Sequence, residues 1–282
     1  MTAPSPTIPA LALHDGRSIP QLGYGVFKVE NEVAADVTAQ ALEAGYRHLD
    51  TAKVYGNEEG VGRAIRAAGI PREELFVTTK LWNDAQRFDD AIAACEASLE
   101  RLGLEYIDLY LVHWAVPAQG TYVEAWRALI DLKQRGLVRS IGVSNYPVQQ
   151  LTEAIEATGV APAVHQIELH PYFQQRELRA LHAEHSIATE AWGPLGQGKS
   201  DLLRNETITS VAAAHEATPA QVVLAWHLTK GIITIPKSVT PSRIVENLAA
   251  ARLTLTPEEV AAIDALDRPD GRGGADPATK TA

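Results

Sequence analysis

Two hydrophobic rhythms alternate along this chain. Short runs that are wholly apolar, or apolar at every second position, are followed by longer stretches whose apolar residues recur at helical spacing. The short runs are residues 21–25 (QLGYG), 46–50 (YRHLD), 75–80 (LFVTTK), 107–113 (IDLYLVH), 138–144 (VRSIGVS), 163–168 (AVHQIE), 187–192 (IATEAW) and 232–237 (IITIPK). Strands that alternate with amphipathic helices point to a parallel sheet joined by crossover helices. Eight such units predict an α/β fold of the closed (β/α)8 TIM-barrel type. An open doubly wound sheet is the alternative, but it normally places a phosphate-binding glycine turn directly after its first strand. The segment GYGVFK at residues 23–28 is not that turn.

Other segments add to the plain barrel. ALALHDGRSIPQ at residues 10–21 carries Asp15-Gly16 between alternating apolar positions, which predicts an N-terminal β-hairpin. Between the seventh and eighth strands lie two helical runs, ETITSVAAAHEA and PAQVVLAWHLTK, one more than a crossover requires. Thr256-Pro257-Glu258-Glu259 has the capping pattern of a last helix. After it, residues 268–282 turn rich in glycine and proline and are expected to be mobile. No internal boundary interrupts the chain, so residues 1–282 are expected to form one domain.

The length of 282 residues suits such a barrel, which typically needs about 250. With 46% hydrophobic and 21% charged residues the composition is that of an ordinary globular protein. A formal charge of -10 argues against a nucleic-acid or anionic-membrane surface, while leaving room for a compact basic pocket. Cys95 is the single cysteine, so no intrachain disulfide forms, and the N-terminus lacks a basic start followed by a long apolar stretch. A cytoplasmic location is expected.

Four residues at or just beyond the C-terminal ends of consecutive predicted strands carry the chemistry: Asp50 and Tyr55 in YRHLDTAKVYGNE, Lys80 in LFVTTKLW and His113 in IDLYLVHW. Barrel enzymes place reacting residues at those ends. Taken singly, each has a plain structural explanation: a buried Asp50–Lys80 ion pair, a tyrosine packing a loop, a core histidine. Together they make a proton-transfer kit. An ammonium beside a tyrosine favours its phenolate, a carboxylate holds the ammonium in place, and an imidazole aligns a carbonyl. No metal ligand is needed.

The four residues resemble the Asp-Tyr-Lys-His tetrad of the aldo-keto reductases, and the surrounding segments are similar to the bacterial branch that contains the 2,5-diketo-D-gluconate reductases. The resemblance runs from about Ile8 to Asp267. It implies reduction of an aldehyde or ketone by NADPH, with NADP+ as the oxidised product, Tyr55 as acid, Lys80 tuning it, Asp50 anchoring Lys80 and His113 orienting the substrate. It also implies a partner set of one small carbonyl substrate, no nucleic acid, no membrane, and a monomer, with the hairpin plugging the barrel floor and the tail lying beside the substrate pocket.

The same resemblance assigns cofactor residues. Ser144, Asn145 and Gln166 match residues that hydrogen-bond the nicotinamide carboxamide, and Trp192 matches an aromatic residue that stacks on the ring. Gly193, Pro194, Leu195, Gly196 and Gln197 form a glycine-rich loop whose amides suit a pyrophosphate. Lys237, Ser238, Val239, Thr240, Arg243, Glu246 and Asn247 match the adenosine and 2′-phosphate site, with a helix start at Thr240-Pro241 that favours an anion. Phe27, Val54, Trp82, His113 and Trp114 are expected to wall the substrate pocket. Aromatic walls suit aliphatic or aryl carbonyls, whereas the diketogluconate likeness suggests a polar keto acid or keto sugar; both stay open.

Lys53 and His165 stand where the family has other residues. Gly60-Val61-Gly62 imitates a dinucleotide fingerprint but lies in a helical run, where packing explains it better. His165, His170, His182 and His185 lack the spacing of a zinc site. Two other functions remain as alternatives: an NADP(H)-binding redox-sensing module with little turnover, and a metal-dependent barrel hydrolase.

Overall fold

The computed structural model describes residues 7–281. Residues 1–6, part of the stretch read for a leader, and residue 282 at the end of the tail lie outside the described residues. Two antiparallel strands, β1 (Ala10–Ala12) and β2 (Ser18–Pro20), form the hairpin around Asp15-Gly16. Eight parallel strands follow: β3 (Tyr24–Gly25), β4 (His48–Asp50), β5 (Phe76–Leu81), β6 (Ile107–Val112), β7 (Val138–Ser144), β8 (Val164–Glu168), β9 (Ala188–Trp192) and β10 (Ile233–Thr234). Each is paired with its sequence neighbour. A parallel bridge between Leu22 and Thr234, with Gly23 N donating to Thr234 O at 2.9 Å, joins the last strand to the approach of the first. The (β/α)8 ring is thereby closed, as the eight sequence runs predict.

Six crossover helices alternate with these strands: α1 (Asn31–Ala44), α2 (Glu58–Ala67), α3 (Phe88–Leu102), α4 (Tyr122–Gln134), α5 (Val148–Thr158) and α6 (Arg176–Glu184). Both runs before the eighth strand are helices, α7 (Glu206–Ala214) and α8 (Pro219–Thr229), one more than a crossover requires. Thr218 opens α8 with a reciprocal capping box to Gln221. Two helices complete the ring, α9 (Pro241–Ala249) and α10 (Pro257–Asp264), the latter opened by the capping box of Thr256 and Glu259. No helix among the described residues is long and apolar enough to cross a membrane.

The hairpin closes the N-terminal end of the barrel. Ile19 and Leu13 are buried in a cluster with Phe76, Leu109, Leu111, Val164 and Ile233, so the floor is sealed by apolar contact. Burying a side chain of this size typically stabilises by about 1.5–3 kcal/mol. Chemistry is consequently confined to the opposite mouth. The two glycines of the false fingerprint are packing residues of α2: a Cβ on Gly60 would lie 2.3 Å from Asn31 O, and one on Gly62 would lie 2.2 Å from Leu102 O.

Candidate active site

Because side chains alternate along a strand, the period of two sorts each barrel strand into residues facing the ring interior and residues facing the helices. Asp50 and Lys80 end up together in the interior. Lys80 Nζ donates to Asp50 Oδ1 at 2.7 Å, to Asp50 Oδ2 at 2.8 Å and to the carbonyl of Thr51 at 2.8 Å. Tyr55 sits in a short 3-10 turn after β4, with its ring centroid 5.2 Å from Lys80 Nζ. His113, at the end of β6, meets Tyr55 edge-on with centroids 5.7 Å apart. The four residues therefore converge.

The electrostatics differ from expectation in one respect. Lys80 was expected to bring the Tyr55 phenol down, but burial dominates and pushes it up to about 12. Lys80 opposes that rise through its charge and a side-chain hydrogen bond, while Asp50 and Glu190 add to it. Lys80 itself is raised: burial works against its charge, but Asp50, Tyr55 and Glu190 outweigh burial. His113 is driven well below the usual imidazole range by burial and then by the charges of Lys80 and Lys280, so it is neutral near neutrality. A protonated phenol and a neutral imidazole thus face the same space.

That space is a cavity of about 770 Å³. Phe27, Val54, Tyr55, Trp82, His113, Trp114 and Trp192 line it, so all five expected substrate-wall residues reach it. Trp82 approaches His113 edge-on at 5.2 Å and Trp114 stacks beside it at 6.4 Å, which leaves the imidazole held between indoles. Lys53 turns away to pair with Asp84 at 2.5 Å.

The expected cofactor residues divide into three groups. Asn145, Gln166, Trp192, Gly193, Pro194, Leu195, Gln197 and Lys237 line the cavity directly. Asn145 Nδ2 donates to His113 O at 3.1 Å and to Ser144 Oγ at 2.9 Å, and Asn145 Oδ1 accepts from Trp192 Nε1 at 2.7 Å. The indole plane is fixed by that bond. Gly193 (φ 62°) and Gly196 (φ 70°) give the loop its left-handed turns, but Gly196 is buried against Ser200 and Leu202. Further out, Val239, Thr240 and Arg243 are exposed around the start of α9, where Ser238 Oγ accepts from Thr240 N at 3.1 Å. Glu246 and Asn247 are occupied by packing: Glu246 accepts from Thr218 Oγ1 at 2.8 Å and Asn247 is buried.

This architecture agrees with what comparison of the chain finds. The Aldo/keto reductase family profile matches residues 21–268. The chain belongs to that family. It is 51% identical over 259 residues to methylglyoxal reductase DkgA of Yersinia pestis, covering 92% of this chain and 93% of that one. It is 50% identical over 272 residues to an aldo-keto reductase of Mycobacterium sp. strain KMS, covering 96% and 97%. Among solved structures, a mutant of Gox0644 in complex with NADPH superposes with a TM-score of 0.93 at 48% identity, covering 97% of this chain and 99% of that one. An aldo-keto reductase of Bombyx mori in complex with NADP gives 0.86 at 36%, covering 92% and 93%. As an aldo-keto reductase, the chain is an NADP-dependent oxidoreductase of carbonyl groups.

The aldo-keto reductase site also contains residues that sequence reasoning passed over. Lys28, Lys199, Gly274, Ala275 and Lys280 line the cavity. The tail, expected to be mobile and, from the family resemblance, to lie beside the substrate pocket, lies across the cavity's edge. Glu168, at the end of β8, accepts from Gly273 N at 2.7 Å and Gly274 N at 2.9 Å, Lys199 Nζ donates to Gly273 O at 3.0 Å, and Lys280 Nζ is 5.3 Å from the Trp114 ring. Glu190 is fully buried beside Asp50. The signal for both glutamates was present: Glu168 is in phase with Gln166, and Glu190 with Trp192, so each faces the ring interior.

Proposed function

We propose that this chain reduces aldehydes or ketones to alcohols with NADPH, Tyr55 donating the proton. The observation that carries the reading is the meeting of a protonated Tyr55 and a neutral His113 at one end of an aromatic cavity, backed by the Lys80–Asp50 pair. Reduction places negative charge on the carbonyl oxygen, and a donor held where that charge develops lowers the barrier. Tyr55 is that donor, and Lys80 offsets the charge left on its oxygen. His113 orients the carbonyl.

The residues present fit a nicotinamide dinucleotide. Gln166 and Asn145 flank the cavity with amide groups, the loop at residues 193–198 turns through glycines, and Lys237 with the exposed start of α9 suits phosphate charge. Ser144, Trp192, Ser238, Val239, Thr240, Arg243, Glu246 and Asn247 complete the proposed set. When bound, the cofactor supplies the hydride. Substrates proposed for this cavity are small dicarbonyls such as methylglyoxal, aliphatic or aryl aldehydes, and keto acids or keto sugars such as 2,5-diketo-D-gluconate. A soluble monomer acting in the cytoplasm completes the proposal.

Purified protein mixed with NADPH and a panel of these carbonyls tests it. Loss of NADPH absorbance with at least one carbonyl, unchanged by a chelator, is expected. Tight NADPH binding with no carbonyl turning over would instead favour the redox-sensing module, and turnover lost on chelation would favour a metal enzyme.

A further inference from the structure

Gln166 directs both of its amide hydrogens at carboxyl groups. Nε2 donates to Asp50 Oδ2 at 2.9 Å and to Glu190 Oε2 at 2.9 Å. A primary amide has two donors on nitrogen and one acceptor oxygen, so two acceptors on the same side settle which end is nitrogen. Oε1 of Gln166 is the end left for a ligand at the cavity, and it carries no hydrogen bond to any other described residue.

Glu190 completes the fork from inside the ring. Its carboxyl is wholly buried, and Oε1 has no hydrogen-bond partner among the described residues. That oxygen lies 3.6 Å from His48 Nε2. His48 Nδ1 faces the Pro20 carbonyl at 3.2 Å, so the ring hydrogen belongs on Nδ1 and Nε2 is an acceptor, open to the hydroxyl of Thr78 at 3.2 Å. An ionised Oε1 would then face a lone pair with no donor, in a site that water does not reach. Such a charge is costly to bury. A hydrogen on Oε1 removes the conflict by removing the charge.

The neighbouring charges give the same answer. His48 and Asp50 on β4, Lys80 on β5 and Tyr55 beyond β4 are the titratable groups that act on Glu190 or feel it. Lys80 is bonded to Asp50 and Thr51, and no hydrogen bond links it to Glu190. Asp50 reaches the same amide nitrogen as Glu190, so a second anion would repel the first.

We propose that Glu190 is a positioning residue of the active site: as a neutral carboxylic acid it completes the fork on Gln166 and turns Gln166 Oε1 toward the amide N–H of the bound cofactor. The proposal rests on the reading of this cavity as a nicotinamide site. Burial, then the charge of Asp50, pushes Glu190 up to about 8, so the acid is protonated at neutrality and ionises in mild alkali. Ionisation adds negative charge beside Asp50, and the Glu190 charge is one of the causes that raise Tyr55, which makes its proton harder to give. Activity is therefore expected to fall as pH rises through the Glu190 titration.

Two variants and two readouts test this. Glu190→Gln preserves shape and neutrality, whereas Glu190→Leu removes one arm of the fork. The glutamine variant is expected to keep most of the wild-type kcat near neutrality and to lose the alkaline fall near pH 8. The leucine variant should bind NADPH about tenfold more weakly, as expected when one hydrogen-bond arm is lost. Independently of turnover, infrared spectra should show a protonated carboxylic acid band at neutrality that disappears in alkali and is absent from Glu190→Gln. A glutamine variant as damaged as the leucine variant, an alkaline fall that survives in it, or no acid band would each overturn the proposal. Wild-type protein inert toward every carbonyl would sink the reductase reading, while the infrared and NADPH titrations would still decide the protonation and fork of Glu190.

Discussion

Lys80 Nζ sits 2.7 Å from one carboxylate oxygen of Asp50 and 2.8 Å from the other, and both residues are buried. Neither charge is tolerable there without its partner. Removing one member of such a pair typically costs about 3–5 kcal/mol, because the survivor stays buried and uncompensated. Lys80→Met is therefore expected to lower the urea midpoint clearly.

The same substitution removes the charge that restrains Tyr55. Burial already holds the phenol at about 12, and without Lys80 it rises further. Turnover per folded molecule should fall by about 10²–10⁴-fold, the usual range for a disabled general acid. A folded Lys80→Met protein with the wild-type pH–rate profile would show that Lys80 only supports the fold.

Tyr55→Phe separates chemistry from packing. The ring still meets Phe27 at 5.1 Å and His113 at 5.7 Å, so the cavity wall survives while the hydroxyl is gone. Carbonyl reduction should drop by about 10²–10⁴-fold with NADPH affinity nearly intact. Stopped-flow turnover alongside fluorescence titration checks this. Wild-type turnover in the folded variant would mean that another group gives the proton.

The barrel and the convergence of Asp50, Tyr55, Lys80 and His113 were legible because they follow from local rules. Strand periodicity places side chains in or out, and the ends of parallel strands share one mouth. The sign of the Tyr55 shift was not legible, since it depends on how completely the folded chain removes water from the hydroxyl. Nor was the tail. Nothing local in DGRGGAD says that Gly273 and Gly274 meet Glu168, more than a hundred positions earlier. Those contacts are set by tertiary packing: a Cβ on Gly274 would lie 2.5 Å from the Trp192 ring.

The Glu168 clasp predicts a tail that can be loosened. Burial works to raise the Glu168 carboxyl, but its bonds with His170 and the amides of Gly273 and Gly274 outweigh it and hold the group below the usual range. A depressed acid contributes its stability above the ordinary carboxyl range and loses it as pH falls through the lowered value. Glu168→Ala should expose both amides at any pH. A charge-assisted hydrogen bond is worth about 1.5–3 kcal/mol, so exchange at Gly273 and Gly274 should quicken by roughly 10–150-fold. Unchanged exchange would show that Arg268 on Tyr172 and Arg272 on Phe173, rather than Glu168, hold the tail.

Arg243 tests the choice between NADPH and NADH. The two cofactors differ by the 2′-phosphate, so preference must come from groups that meet it. Arg243 is exposed in the first turn of α9, whose start is formed by Thr240 and Pro241 without a side-chain cap. A guanidinium there can grip a phosphate through two parallel hydrogen bonds while the helix dipole adds to the field. A charge-assisted bond of about 1.5–3 kcal/mol corresponds to roughly 10–150-fold in affinity. Arg243→Ala should weaken NADPH binding by about that factor and change NADH binding little. Because the side chain is exposed, added salt should shrink the difference between wild type and variant. Equal losses for both cofactors in titrations of the folded variant would assign Arg243 to the helix or the adenine, and the basic start of α9 would no longer explain an NADPH preference.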